Sequence, residues 1–198
     1  MQFTPGYLFG MALQTVPEPR KVARDLFALG LSREFLWTAL LLMVVLSTCL
    51  IIIGSLLPSV GTEPVSPALI SPITLGVLNG ILTFGMAAAL YFVGRLMGGQ
   101  GNLENAIATV VWAQFMLLGI QALTVVLLLF APLMAAMLTF ASAFISFWVL
   151  SHFTAENHGF RSAGLVFASI LIFIVLSAFP LSLFLMILGV EPPPLPVQ

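Results

Sequence analysis

Three side chains able to do acid–base or metal chemistry fall close together: His152, Glu156 and His158. Two imidazoles and a carboxylate are zinc-ligand types. On a continuous helix His152 and Glu156 share a face, being four residues apart, and His158 points elsewhere. There is no fourth ligand nearby, and the order is not the HExxH of zinc hydrolases. These residues therefore read as polar capping at a membrane interface. A second patterned stretch is Gly98-Gly-Gln-Gly101 followed by Asn102-Leu-Glu-Asn105. Glycine-rich backbone ahead of a helix can cradle phosphate, but the Lys-Ser/Thr of a nucleotide-binding loop does not follow. The stretch predicts a tight turn, with Asn102 as N-cap of the next helix and Glu104 in its first turn, where a carboxylate favours the helix dipole. Cys49 is the one cysteine and sits inside an apolar run. It cannot form an intramolecular disulfide and reads as a small core residue. No catalytic, cofactor or metal site emerges, and the chain is expected not to be an enzyme.

The elements that carry these residues are set by composition. Of 198 residues, 61% are hydrophobic and 7% charged. A soluble domain carries about 25% charged residues, so a soluble enzyme, a disordered chain and a nucleic-acid binder are all excluded. A bilayer core of about 30 Å needs roughly 20 apolar residues in helical form. Five runs qualify: about 35–57, 73–96, 106–130, 132–153 and 163–190. Gly54, Pro58 and Gly61 end the first, and Pro72 suits the first turn of the second. Only Ala131 and Pro132 separate the third from the fourth, which predicts a tight hairpin. Pro180 predicts a kink in the fifth. Residues 191–198 read as an extended proline-rich tail. The runs are continuous rather than alternating, which excludes a β-barrel. The expected fold is all-α: a polytopic membrane protein with five transmembrane helices and a short N-terminal interfacial amphipathic helix.

All six basic residues, Arg20, Lys21, Arg24, Arg33, Arg95 and Arg161, fall on one side of such a five-span chain. The other side carries Glu63 and Glu191 and no cation. The positive-inside rule then places the N-terminus in the cytoplasm and the C-terminus in the periplasm of a bacterial inner membrane. Residues 1–34 do not have the pattern of a secretory signal. Within them Thr15-Val-Pro-Glu18 reads as a capping box that opens a short helix running to about Gly30. Val22, Leu26 and Leu29 share one face of that helix, and Arg20, Lys21 and Arg24 lie toward another. The cations are candidate contacts to anionic lipid or to a partner.

Inside the runs there is no ionisable residue at mid-bilayer depth, so a proton relay or ion-coupled pump has no groups to use. The spans instead carry small and weakly polar residues. Gly76 and Gly80 form a GxxxG on the second run, and Ser142 and Ser146 belong to a small-residue face on the fourth. Both suit close helix packing. Asn79, Gln114 and Gln121 are the uncharged polar residues expected to be buried, either in interhelical hydrogen bonds or along a polar path.

Several stretches resemble the bacterial form of the Ypt-interacting-protein (Yip) family of five-span membrane proteins. They are GGQGNLENAIATVVWAQ after the second run, ENHGFRSAGLVFASILIF before the fifth, and PEPRKVARDLFALGLSREFLWTAL before the first. Together they cover most of residues 17–180. Only Asp25-Leu26-Phe27 is reminiscent of the Asp-Leu-Tyr-Gly-Pro-like motif of eukaryotic members. The resemblance thus implies fold and membrane location rather than Rab-type GTPase binding.

Three parts are expected: an N-terminal segment over 1–34, a five-span domain over 35–190 and the tail over 191–198. The expected function is a non-enzymatic adaptor or accessory protein that organises a partner membrane protein or lipid. Its partners would be membrane lipids and either another integral membrane protein or a second copy of itself. The alternative is a small oligomeric transporter or channel subunit with a polar path near Asn79, Gln114 and Gln121.

Overall fold

A computed structural model describes residues 5–57 and 71–187. Pro58, Gly61, Glu63, the end of the fifth run and the 191–198 tail lie outside the described residues. Those described form seven helices and no strand: α1 Pro5–Thr15, α2 Pro19–Phe27, α3 Arg33–Ser55, α4 Pro72–Leu96, α5 Leu103–Phe130, α6 Pro132–His158 and α7 Ala163–Ile187. Five of them, α3 to α7, are long and apolar enough to cross a membrane. The all-α class expected from composition is the one observed.

Local chemistry explains where most helices start. Ser32 and Ser71 each accept a hydrogen bond from the backbone N–H three residues on, at 3.3 Å and 3.1 Å, and so cap α3 and α4. Asn102 caps α5 through a 2.7 Å bond from the Asn105 N–H. Such side chains satisfy N–H groups that a helix start leaves open. Pro72 and Pro132 sit in the first turns of α4 and α6, where a missing N–H costs nothing. Ala131 alone separates α5 from α6. α7 runs through Pro180.

The N-terminal segment departs from expectation. It holds two helices, and Thr15 ends the first rather than capping the second. The Thr15 hydroxyl donates back to the Met11 carbonyl at 2.8 Å, and α2 starts on Glu18 and Pro19 with no side-chain cap. Two glycines, Gly6 and Gly10, obscure α1 in the sequence, since each costs about 1 kcal/mol relative to alanine inside a helix. Packing offsets this: Met11 is buried, and Leu8 and Ala12 lie against the core. The apolar face of α2, with Val22, Ala23 and Leu26 buried, is taken by α5 and α6 rather than left for lipid.

α5 is the central helix, touching α2, α3, α4 and α6, while α7 leans mainly on α6. The core gathers at one end of the bundle, where α3 and α5 start and α4 and α6 finish. Leu36, Leu40, Leu90, Ile107 and Phe153 are buried there. Away from that end the helices turn large apolar side chains outward: Phe130 is 81% exposed and Phe144 75%. Only hydrocarbon tolerates such a surface over several helices. The chain is a membrane protein, and its dense end is the end that carries its cations.

Candidate functional site

At that basic end, α4 and α6 stop in the same way. Gly98 (φ +86°) follows α4, with Gly99 N–H bonded to the Gly94 carbonyl at 2.9 Å and Gly98 N–H to Arg95 at 3.0 Å. Gly159 (φ +73°) follows α6, with Phe160 N–H bonded to Ala155 at 2.8 Å and Gly159 N–H to Glu156 at 3.3 Å. Both are Schellman endings, which need a left-handed residue that glycine adopts freely.

His158, the last residue of α6, is seated in the α4 ending. A Cβ placed at Gly94 would lie 2.3 Å from its Nε2, one at Gly99 2.6 Å from its Nδ1, and one at Gly101 2.7 Å from its Cε1. Glycine at all three positions makes the room the imidazole occupies. Gly101 N–H donates to His158 Nδ1 at 3.2 Å, and Phe160 stacks on the ring at 5.7 Å. Gln100 N–H donates to the His158 carbonyl, and Asn102 and Asn157 exchange two bonds, at 3.2 Å and 3.1 Å. The glycine-rich loop thus spends the N–H groups of Gln100, Gly101 and Asn102 on the end of α6, leaving none of them for phosphate.

α2 closes over the same end. Arg20 donates through Nη2 to the Phe160 and Arg161 carbonyls at 3.0 Å and 2.9 Å. Arg24 pairs with Glu156 at 3.4 Å. Lys21 pairs with Glu18 at 3.0 Å, and that hydrogen bond holds its ammonium above the usual lysine range. The corner between α1 and α2 is held by two indoles: Trp112 donates to the Thr15 hydroxyl at 3.0 Å and Trp148 to the Val16 carbonyl at 3.1 Å. Tryptophan at a membrane boundary commonly pairs an apolar ring with one polar contact in this way.

The three residues that suggested zinc are held apart by other bonds. His158 occupies the glycine seat, His152 Nδ1 lies 2.8 Å from the Trp148 carbonyl, and Glu156 faces Arg24. Among the described residues, no three metal-binding side chains converge. Arg33, Arg95 and Arg161 are exposed at the same end and belong to neither ion pair. Cys49, expected in the core, is instead exposed on the outer surface of α3, since an apolar run in a membrane helix does not by itself say which face is packed.

Deeper in the bundle, Gly76 and Gly80 face α3. A Cβ on either would meet Thr48 or Val44 at 3.7–3.8 Å, which is ordinary contact. The Asn79 amide lies 2.9 Å from the Ser47 hydroxyl and 3.0 Å from that of Thr48, joining α4 to α3. Gln114 donates to Thr83 at 3.1 Å and joins α5 to α4. Gln121 is half-buried, and Ser142 and Ser146 bond carbonyls of their own helix. Asn79 and Gln114 therefore tie neighbouring helices together. Sequence reasoning missed the His158 seat, the Arg20 contacts and the two indole clamps. The one local signal for the seat was a run of glycines denser than a single turn requires.

This arrangement is a latch between helix ends, with no nucleophile–base pair and no cluster of acids. In comparison with known proteins, the family described as Yip1 domain matches residues 13–186. No curated protein and no solved structure matches.

Proposed function

From the premise that the chain belongs to the Yip1 domain family, we propose that it is a non-enzymatic membrane adaptor that presents its basic end to a second integral membrane protein. The observation that carries this reading is the latched end itself. α1, α2 and two interhelical loops are held there by side-chain and backbone bonds, while Arg33, Arg95 and Arg161 keep exposed guanidinium groups outside the ion pairs among the described residues. A pre-organised surface loses little entropy on binding, and arginine is well suited to interface contacts. The same charge distribution supports an N-terminus in the cytoplasm of a bacterial inner membrane and a C-terminus in the periplasm.

The test is purification of the full chain from its native membranes in mild detergent, with mass spectrometry of what accompanies it. The expected result is one membrane partner at fixed stoichiometry, released when Arg33, Arg95 and Arg161 are all changed to Glu. A chain that purifies alone, and that carries a solute flux in vesicles abolished by Gln114→Leu, overturns the adaptor reading in favour of transport.

A further inference from the structure

α4 and α7 barely touch, and a cleft of about 450 Å³ lies between them. That volume is in the range of small-molecule sites, roughly 300–1,000 Å³. Leu82, Met86 and Val93 of α4 and Ile170 and Phe173 of α7 form its walls, and Phe160 closes its basic end. From Ile81 to Gly94 it follows α4 for about 20 Å at 1.5 Å per residue. This exceeds one leaflet's half of a hydrocarbon core about 30 Å thick. Its walls belong to helices that face lipid, so the material at hand to fill it is an acyl chain.

The basic end of the cleft is not apolar. Thr15, Thr38, Thr48, Thr109, Thr124 and Thr139 all return their hydroxyl to the carbonyl four residues back. Thr154 does not. It lines the cleft, is 4% exposed, and its Oγ1 has no partner. A buried donor without an acceptor is costly, and native structures leave few of them. Such a donor at one end of an apolar cleft, with the exposed Arg95 at the same end of α4, is matched by a ligand with a long apolar chain and an anionic, oxygen-rich end. The Thr154 hydroxyl is covered while its side chain lines the cleft, so it meets an occupant by a χ1 turn. A helical threonine populates two such rotamers.

We propose that the α4–α7 cleft binds one acyl chain of an anionic glycerophospholipid, with an ester or phosphate oxygen accepting from Thr154 and the headgroup charge toward Arg95. The site rests on membrane residence alone and is independent of the adaptor role.

The full chain, stripped of lipid in detergent, is titrated with dioleoyl phosphatidylglycerol and separately with dioleoyl phosphatidylcholine, and adducts are counted by native mass spectrometry. One tightly held phosphatidylglycerol per chain is expected, with phosphatidylcholine about tenfold weaker. Gly85→Phe is the blocking variant: Gly85 lines the cleft and a Cβ there meets nothing within 4 Å. It should lose the adduct while keeping the native size and thermal transition. Thr154→Val keeps the shape and should weaken the adduct about tenfold, as loss of one hydrogen bond predicts. Undiminished binding by Gly85→Phe overturns the site, equal binding of the two lipids overturns the headgroup-charge contact with Arg95, and undiminished binding by Thr154→Val overturns the hydroxyl anchor. Should Gly85→Phe fail to fold, a phosphatidylglycerol with a diazirine in its tail decides on the native chain. Crosslinks at Met86 and Phe173 support the site, and crosslinks confined to outward residues such as Phe144 overturn it.

Discussion

The Nδ1 atom of His158 accepts a hydrogen bond from the Gly101 backbone at 3.2 Å, joining the end of α6 to the entry of α5. The contact exists because Gly94, Gly99 and Gly101 lack side chains. A methyl group at Gly94 would lie 2.3 Å from the ring, so Gly94→Ala must expel or tilt the imidazole. Overpacking of this kind costs about 1–3 kcal/mol, more than the roughly 1 kcal/mol that alanine returns through helix propensity. The Gly94→Ala chain is expected to melt earlier in detergent. The Gly94→Ala, His158→Ala double variant should recover part of that loss, because the two residues share one space. Additive losses in the double-mutant cycle would show that the seat is not the source.

Arg20→Met removes both bonds to the Phe160 and Arg161 carbonyls. Arg20 is partly exposed, so the stability cost is expected to be modest, about 1 kcal/mol. The local effect should be larger. Amide exchange across residues 159–162 is expected to speed up while exchange in the middle of α5 stays slow, as a locally opening unit requires. Uniform acceleration over the whole chain would point instead to a global role for Arg20.

Trp112→Phe and Trp148→Phe each remove one indole N–H from the corner at Thr15 and Val16. Either alone should cost about 1 kcal/mol. Together they are expected to free α1, so that a protease cuts between residues 15 and 19 in the double variant and spares the native chain. Equal resistance would mean that apolar packing of Leu8, Met11 and Ala12 holds α1 without the indoles.

Asn79→Leu breaks the bonds from α4 to Ser47 and Thr48. Hydrogen bonds between membrane helices average about 0.6 kcal/mol, with a maximum near 1.7 kcal/mol. The variant is therefore expected to fold and to lose no more than that in reversible unfolding. A loss several times larger would indicate that Asn79 supports a wider polar network than its direct partners.

Placement across the membrane is checked in a Cys49→Ala background. With the N-terminus in the cytoplasm, Ala131→Cys in the α5–α6 turn reacts with an impermeant maleimide applied from outside. Ser162→Cys in the α6–α7 loop reacts only after permeabilisation. The reverse pattern inverts the orientation.

What the sequence determined by itself was the part governed by near neighbours. The length and polarity of an apolar run decide whether it becomes a long helix suited to hydrocarbon, and that depends only on residues within the run. Asn102 and Pro72 act within a few residues of themselves, so their places at the starts of α5 and α4 were legible. α1 was not, because its glycines argue against a helix locally and only packing against α2 and the core restores it. The tertiary structure alone decided the latch. Gly101 and His158 are 57 residues apart and Arg20 and Phe160 are 140 apart, so no spacing rule brings either pair together. Glycines that read as a tight turn became a seat for a ring arriving from another helix. The GxxxG of α4, which suits close packing against any helix, is turned toward α3. Local propensity acts over a turn or two of helix. Which faces meet is settled by packing the whole bundle, where a small side chain matters for what it leaves room for.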